Sequence, residues 1–322
     1  MTDGCREFAH AAVCHRSTEE LLAFAAPFVR DGLAMDDRVL VNLTAERAGA
    51  LRAALGDDAD RIQWSDTDRW HPRPPHRLRA IQDLVGRETR HGPARLRILG
   101  ECAWPGPGVP SPPAREITRE WERFDAVLNV VLAGTPLTLL CTYDAATLSP
   151  GVVDRAACTH PVLWSDRPVR SPAYVDPVTY LAASQPCGLS APREASWALG
   201  QVTPAEARAH VRHGLARSGP VSPEIVDDML VAATEVVPNS WRAGAGSIAV
   251  ACWHLGAEVG VQVEDDGPGI DDPLAGYRRP WPGSDGGRGL WIVRQLAELV
   301  EIAPGPGSKG ASVRMRTWDR EA

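Results

Sequence analysis

The sequence has no long run of apolar residues. No stretch reaches the roughly 18 consecutive apolar residues that a membrane-spanning helix needs. The first residues also lack a cationic segment followed by an apolar stretch of the length that a secretory signal peptide requires. These two absences predict a soluble protein of the cytoplasm that has no membrane partner.

Concentrated positive charge is missing as well. The net charge is -7, and the arginines are scattered among aspartates and glutamates rather than grouped in a basic run. A nucleic-acid-binding surface needs a concentrated basic face, so direct binding of nucleic acid is not expected.

Paired cysteines are absent too. The seven cysteines are an odd number and include no CxxC pair. Disulfide and zinc frameworks usually show paired spacings, so these cysteines are interpreted as small buried hydrophobic residues in a reducing compartment.

Length and composition favour two folded domains. Single hydrophobic cores usually stop growing near about 250 residues, and this chain has 322 residues. Apolar residues make up 44% and charged residues 23%, which is ordinary globular composition. Both halves of the chain should therefore fold.

Strand-like and helix-like segments alternate in the first half of the chain. Helical spacing of apolar residues occurs at about 17–33, 45–55, 75–90 and 114–131, and short buried strands are predicted at 38–43, near 61, at 95–101 and at 135–144. Alternation of this kind predicts an α/β domain with a parallel sheet covered by helices on both faces. We assign it to residues 1–165.

Prolines interrupt the chain after the first domain. Pro168, Pro172, Pro177, Pro186 and Pro192 leave no hydrophobic period longer than a few residues. Residues 166–200 are therefore interpreted as a linker with little structure of its own.

The last part of the chain, residues 201–322, changes pattern. Thr203 and Glu206 have the spacing of a capping box that begins a helix, and a second helix is expected from Ser222 to about Arg242. Two strands joined by a tight turn near Gly256, a Gly/Pro-rich loop, a helix from Gly289 and a last strand follow.

Acidic and amide side chains recur at defined places in this domain. Glu235 and Asn239 lie four residues apart and therefore on one face of the second helix. Asp265, Gly267 and Gly269 follow the second strand, where an acidic group can meet a ligand while glycine lets the backbone pass close to it. A carboxylate can accept a hydrogen bond from an exocyclic amine, and an amide oxygen suits a magnesium ion.

Glycines also open the third helix. In the run Gly287, Arg288, Gly289 and Leu290, free backbone N–H groups and the positive end of the helix dipole can receive phosphate. Together with the acidic and amide groups, this run predicts a nucleotide site. Arg288 lies beside the glycines and is expected to neutralise phosphate charge.

This set of motifs, in this order, resembles the GHKL ATPase superfamily, over about Thr203–Thr317. The resemblance implies an α+β ATP-binding sandwich of the Bergerat type, with ATP and Mg²⁺ as cofactors. By the same likeness Glu235 and Asn239 occupy the N box, Asp265 with its glycines the adenine-binding G1 box, and Gly287 with Gly289 the G2 box. Residues 270–284 would be the ATP lid.

The sequence around these boxes is most similar to the anti-sigma-factor serine kinase branch. The segments that carry this likeness are TEVVPNS, EDDGPGI, DPLAG and GGRGLWIV. That likeness implies a regulator that phosphorylates Ser or Thr of an anti-sigma antagonist and binds a sigma factor. Glu235 would be the catalytic general base and Asn239 would hold Mg²⁺. A histidine kinase is disfavoured because the preceding linker is too short and too Pro-rich for a dimerisation hairpin. The oligomeric state, a homodimer included, is left open.

Two positions depart from the branch pattern. Ala243 stands where the branch usually has His, and Pro238 directly precedes Asn239, where proline usually kinks a helix. A catalytically silent ATP-dependent switch is therefore an alternative, and so is a scaffold recruited as a small-molecule enzyme.

Upstream, FAHAAVCHRSTEELLAFAAPFVRDGLA, GECAW, AVLNVVL, LLCTYD and CTHPVL resemble the sensory domain called MEDS. The likeness implies a RecA/KaiC-like α/β fold without a P-loop, and no GxxxxGK[ST] motif occurs in the sequence. Actinobacterial proteins often place this domain before an ATPase of the type described above.

A ligand site in the N-terminal domain is also considered. His10, Glu101, Trp104, Asp144 and His160 fall at predicted strand ends, where α/β folds place ligands. For His10 and His160 the favoured interpretation is hydrogen-bonded packing rather than metal ligation, because no paired His/Cys spacing supports a metal. Trp104, together with Trp121 and Trp281, is either core or the lining of an apolar cavity.

Overall fold

The computed structural model describes residues 7–67, 73–91, 95–105, 113–165, 167–280 and 287–320. The chain divides into two compact units, Met1–Tyr180 and Leu181–Ala322. Among the helices in the described ranges, none combines the length and the apolar character that a bilayer crossing requires.

Strands and helices alternate in the N-terminal unit. Its strands are β1 (Ala9–His15), β2 (Arg38–Leu43), β3 (Gln63–Asp66), β4 (Leu96–Glu101), β5 (Leu137–Asp144), β6 (Val162–Trp164) and β7 (Pro168–Arg170). Its helices are α1 (Thr18–Ala34), α2 (Ala45–Leu55), α3 (Pro74–Glu88), α4 (Pro113–Val131) and α5 (Pro150–Thr159), with 3-10 turns at Gly56–Arg61 and Thr89–His91. A further helix, α6 (Pro177–Ala183), spans the division between the units.

The predicted parallel sheet is confirmed. Over the described residues the strand order is β3-β2-β4-β5-β1-β6-β7, and each neighbouring pair is parallel except β6 and β7. Sequence periodicity did not identify β1, β6 or α5. β6 is three residues long and half-buried, so it has no apolar period to detect.

The two faces of this sheet differ in chemistry. Side chains alternate between the faces along each strand, and α1 and α2 cover an apolar face that includes Val13, Val41 and Leu140. On the opposite face, His10 and Cys141 lie beneath α4 and α5, among buried polar groups.

The C-terminal unit has the predicted α+β architecture. Its helices are α7 (Pro204–Arg217), α8 (Pro223–Arg242) and α9 (Arg288–Leu296), and its strands are β8 (Ser196–Ala198), β9 (Ile248–Leu255), β10 (Glu258–Asp265), β11 (Leu299–Pro304) and β12 (Ala311–Trp318), with a 3-10 turn at Pro306–Ser308. The described strands form one antiparallel sheet in the order β11-β12-β10-β9-β8. Two of them, β8 and β11, were not predicted.

Local signals explain two features of this unit. The Thr203 hydroxyl accepts from the Glu206 amide while the Glu206 carboxylate accepts from the Thr203 amide, which is the expected capping box. The β9–β10 hairpin turns at Gly256, whose φ of 58° favours glycine. Both features appear where the sequence predicts them.

The segment interpreted as a linker contains short elements. Within residues 166–200 lie β7, α6 and β8, of three, seven and three residues. β8 pairs with β9 and so extends the C-terminal sheet. The two strands were not predicted because each is held by pairing with a neighbouring strand, and the seven residues of α6 are too few to show a helical period.

The helix α8 lies over the C-terminal sheet. Its buried residues Met229, Ala232, Ala233, Val236 and Val237 recur at helical spacing and pack into the core. Full burial of a Met or Val side chain contributes about 1.5–3 kcal/mol. This packing fixes the rotation of α8, and with it the direction of its neighbouring polar face.

Candidate functional site

The polar face of α8 meets the start of α9. Glu235 and Asn239 are both half-buried there. A Cβ atom added to Gly289 would lie 2.8 Å from Asn239 Nδ2 and 3.1 Å from the Glu235 carbonyl oxygen. The structure therefore brings Glu235, Asn239 and Gly289 together, and the approach of α9 leaves no room for a side chain at Gly289.

Proline does not end α8. Pro238 has no amide hydrogen to donate, yet the helix runs continuously from Pro223 to Arg242, and the Ala243 amide donates to the Asn239 carbonyl at 2.9 Å. Glu235 and Asn239 consequently remain on one continuous helix.

Asp265, the last residue of β10, is held on both carboxylate oxygens. Its Oδ2 accepts from the Ser240 hydroxyl at 2.7 Å, and its Oδ1 accepts from the amides of Gly267 at 3.0 Å and Ala311 at 3.1 Å. A carboxylate can accept about four hydrogen bonds. These three contacts orient Asp265 and leave Oδ2 able to accept one more donor.

The adjacent Asp266 has a different role. It is exposed, and its Oδ1 accepts from the amides of Gly246 at 2.7 Å and Ser247 at 2.8 Å. The hydrogen bonds from the Ser247 and Gly246 amides lower the pKa of Asp266. Asp266 therefore fixes the turn before β9, whereas its neighbour Asp265 lies at the α8–β12 junction.

Backbone conformation and close contacts explain why glycine stands at two positions near Asp265. Gly269 has a φ of 91°, and a Cβ there would lie 3.1 Å from the Gly310 carbonyl oxygen. Gly310 has a φ of 67°, and a Cβ there would overlap the Asp265 carbonyl. Both positions need glycine because other residues strain at positive φ.

The N-terminus of α9 has the features expected of an anion site. Gly287 precedes the helix with a φ of 80°, and no side chain of the described residues caps this helix end. The first amides of any helix lack partners within the helix, and the dipole places positive potential there. Arg288 is exposed and Leu290 is half-buried at this end.

The first part of the predicted lid is anchored on α9. The Arg294 guanidinium lies 3.8 Å from the centre of the Tyr277 ring and donates to the Ala275 carbonyl at 3.0 Å. Arg278 is exposed and lies 3.5 Å from Asp272. Residues 281–284 of the predicted lid, Trp281 among them, lie outside the described residues.

Three contributors to this site were missed by sequence reasoning. Ser240 follows Asn239 directly. Its hydroxyl, on the buried side of α8, was the one feature that could have pointed to it. Gly310 and Ala311 contribute backbone groups from the start of β12, which is distant in sequence from Asp265. Backbone donors leave no side-chain signature, so this part needed the tertiary structure.

The candidate ligand-binding residues of the N-terminal unit do not all lie at one site. Glu101 and Asp144 end β4 and β5, as expected, and both carboxylates bind the Arg47 guanidinium, with 2.5 Å between Arg47 Nη1 and Glu101 Oε1. Burial raises the pKa of Glu101 although Arg47 opposes the change. The pKa of Asp144 is lowered overall, because the Ala146 amide and Arg47 outweigh its burial.

The placement of His10 and His160 at the ligand-binding strand ends was wrong. His10 is the second residue of β1, and His160 follows α5. Their rings lie 4.1 Å apart between centroids, and both are fully buried. Burial lowers the pKa of His10 to about 4, and burial together with the neighbouring His10 lowers the pKa of His160 well below its ordinary value. Helix packing over the sheet, which periodicity does not reveal, brings the two rings together.

Trp104 lies three residues beyond β4. Its ring packs 5.8 Å from Tyr143 and 6.4 Å from Trp121, measured between centroids. Trp121 itself is fully buried. Trp121 therefore belongs to the core, whereas Trp104 is half-buried and lines a pocket together with Pro105 and Thr118.

The comparisons with known families agree with this architecture. Residues 9–161 match the family model of MEDS, described as the MEthanogen/methylotroph, DcmR Sensory domain. Residues 200–317 match the model of the histidine kinase-like ATPase domain. A comparison with curated proteins finds no match. The chain therefore joins an N-terminal MEDS sensory domain to a C-terminal histidine kinase-like ATPase domain, a type that binds ATP.

Proposed function

We propose that this protein is an ATP- and Mg²⁺-dependent regulator that phosphorylates a Ser or Thr of a partner protein. The proposed partner is an anti-sigma antagonist, with a sigma factor as a second binding partner, and the MEDS domain controls the activity. The observation that carries the proposal is the convergence of Glu235, Asn239 and Gly289 near an oriented carboxylate, Asp265.

Asp265 suits the adenine end of the nucleotide. Its three hydrogen bonds fix the carboxylate before any ligand arrives, so binding costs little ordering of this side chain. The remaining acceptor capacity on Oδ2 matches the exocyclic amine of adenine. A guanine base presents a carbonyl at the equivalent ring position and would repel the carboxylate.

The face formed by Glu235, Asn239 and Gly289 suits the triphosphate end. Glycine at 289 allows the α9 amides to approach anionic oxygens, and the Asn239 amide oxygen is a suitable Mg²⁺ ligand. ATP supplies the phosphoryl group that is transferred. In this proposal Glu235, half-buried on the same helix face, accepts the proton of the attacking hydroxyl.

Nucleotide titration of the full-length protein tests the binding part of this proposal. Asp265→Asn should weaken ATP affinity about 10- to 100-fold, because it removes a charge-assisted hydrogen bond of about 1.5–3 kcal/mol. Asp266→Asn is the matched control and should bind ATP normally, since its carboxylate serves the Gly246 and Ser247 amides. Equal ATP affinity in wild type and Asp265→Asn would refute this assignment of the adenine site.

Phosphoryl transfer is tested separately with radiolabelled ATP and a panel of anti-sigma antagonist domains. Wild type should label a Ser or Thr, and Glu235→Gln should keep ATP binding while transfer falls about 100-fold or more. Transfer that is unchanged in Glu235→Gln would exclude Glu235 as the base.

A catalytically silent switch is the second candidate, and Ala243 favours it. Ala243 follows α8 as an exposed residue with no ionisable group, at the position where the anti-sigma kinase branch usually has His. If wild type binds ATP and labels no antagonist, the result supports a switch that binds its partner in a nucleotide-dependent way without transferring phosphate.

A further inference from the structure

We propose that the N-terminal domain contains a zinc site formed by His10, Asp125, Cys141 and His160. One ligand atom from each of these residues lies within 4.8 Å of those of the other three. All four residues are buried. They come from β1, α4, β5 and the residue after α5, so the site would join two helices to the sheet beneath them.

Hydrogen bonds outside the cluster orient the His10 ring. The Asn129 amide nitrogen donates to the carbonyls of Thr159 at 2.7 Å and Asp125 at 3.1 Å, which leaves its Oδ1 to face His10 Nδ1 at 3.0 Å. Because an amide oxygen accepts, Nδ1 carries the hydrogen and Nε2 keeps its lone pair. Cys141 Sγ lies 3.5 Å from that Nε2.

His160 is oriented in the same way. Its Nδ1 lies 2.9 Å from the Ala156 carbonyl oxygen, which can only accept, so Nδ1 carries the hydrogen. The other nitrogen, Nε2, is buried and has no hydrogen-bond partner within the described residues. Metal-binding histidines commonly donate their second nitrogen to a carbonyl or carboxylate in this manner.

Asp125 contributes the fourth group. The Tyr143 hydroxyl donates to its Oδ2 at 2.5 Å. Its Oδ1 is buried without a hydrogen-bond partner in the part of the chain that the structure describes. A buried polar atom without a partner costs about 1–3 kcal/mol, and the cluster holds two such atoms, one on Asp125 and one on His160.

The donor types fit zinc, and so does the distance between two of the donor atoms. Zn–S and Zn–N bonds of about 2.3 and 2.0 Å at a tetrahedral angle separate sulfur from nitrogen by about 3.5 Å, which is the distance between Cys141 Sγ and His10 Nε2. Two neutral imidazoles, one thiolate and one carboxylate balance the charge of Zn²⁺, which permits burial. Thiolate and imidazole donors disfavour Mg²⁺ and Ca²⁺.

Four protein ligands would close the coordination sphere, so the proposed site is structural. Metal binding requires loss of the Cys141 thiol proton. The alternative is a polar cluster that is satisfied by a buried water instead of a metal.

Metal analysis of the full-length protein, purified without nucleotide from zinc-supplemented cells, tests the proposal. Wild type should retain about one Zn²⁺ per chain after dialysis against a chelating resin. Cys141→Ser and His160→Gln should lose it. Cys102→Ser, which alters a buried thiol outside the cluster, is the matched control and should keep it.

Cobalt substitution gives an independent readout. Co²⁺ added to metal-free wild type should give a thiolate-to-cobalt charge-transfer band and the intense visible absorption of tetrahedral Co²⁺, and Cys141→Ser should lack the charge-transfer band. Should the variants fail to fold, as judged by circular dichroism, the wild-type spectrum and zinc content decide. Wild type without zinc and without a thiolate band, or zinc that persists in Cys141→Ser, overturns the proposal.

Discussion

Gly289 is the residue at which α9 and the α8 polar face come closest. Gly289→Ala would place a Cβ 2.8 Å from Asn239 Nδ2 and 3.2 Å from Glu235 Oε2. We expect the variant to lose about 1–3 kcal/mol of unfolding free energy through overpacking and to bind ATP more weakly. Urea denaturation and nucleotide titration measure the two effects.

Gly86→Ala is the matched helical control for this substitution. A Cβ at Gly86 in α3 meets nothing within 4 Å. It should leave ATP binding unchanged and stabilise the protein by up to about 1 kcal/mol. Equal effects of the two substitutions would contradict the tight α8–α9 contact.

His15, the last residue of β1, makes the N-terminal unit sensitive to acid. Its pKa is lowered by burial first and by the Arg47 charge second, while Asp144, the Ser17 backbone and Glu20 oppose the change. Since the folded pKa lies below the ordinary value of 6.5, the unfolded chain binds more protons just below that pH. The stabilising contribution is therefore present above about pH 6.5 and is lost as the pH falls towards the folded pKa.

His15→Gln should accordingly flatten the pH dependence of stability. Proton uptake on unfolding near about pH 6 should fall by up to about one proton per chain, measured from urea denaturation between about pH 5.5 and 7.5. An unchanged slope in His15→Gln would show that this ring titrates normally in the folded protein.

At the scale of elements, Arg47 links α2 to the ends of β4 and β5. Arg47→Met would leave the carboxylates of Glu101 and Asp144 side by side without their cation, although both are largely shielded from solvent. We expect a loss on the order of 3 kcal/mol at neutral pH. The loss of stability should shrink as the pH is lowered, because protonation of the two carboxylates removes their repulsion. Urea denaturation of wild type and variant at several pH values measures this difference.

Arg52→Met, on the same helix, is the control for Arg47→Met. Its guanidinium lies over the Trp64 ring at 4.5 Å from the centroid. Loss of that cation–π contact should cost about 1 kcal/mol or less. If Arg47→Met is no more destabilising than Arg52→Met, the three charges do not act as a buried network.

Elements with a strong local pattern were predictable from the sequence. The amphipathic α1 begins where Ser17 caps the Glu20 amide, and β2 contains the buried apolar run Val39, Leu40 and Val41. In contrast, β8 and β6 are three residues each. A strand that short is specified by the neighbouring strand with which it pairs. Its own three residues are too few to show an alternation of apolar and polar side chains.

At the scale of the whole molecule, each unit has its own core. One core spans β1, β2, β4, β5, α1 and α2, and the other spans α7 to α9 and the C-terminal strands. We expect two calorimetric transitions. ATP at about 100 times its Kd should stabilise the C-terminal transition by about 2.7 kcal/mol, which raises its midpoint by several degrees.

Asp265→Asn supplies the control for the calorimetric prediction. At the same ATP concentration, a roughly 10- to 100-fold weaker affinity leaves a stabilisation of about 0.4–1.4 kcal/mol, so this variant should show about half the wild-type shift of the C-terminal transition or less. A shift confined to the N-terminal transition would place the nucleotide elsewhere in the chain.

The sequence by itself determined the two-domain architecture, both fold classes and the helix and strand positions of Glu235, Asn239, Asp265 and Gly289. These follow from local periodicity and short motifs, which act over a few residues. The tertiary structure alone decided which groups meet: Ser240 and Ala311 on Asp265, and His10, Asp125, Cys141 and His160 where α4 and α5 pack on the sheet. Contacts between residues far apart in sequence depend on how helices pack on a sheet, and no local pattern encodes that geometry.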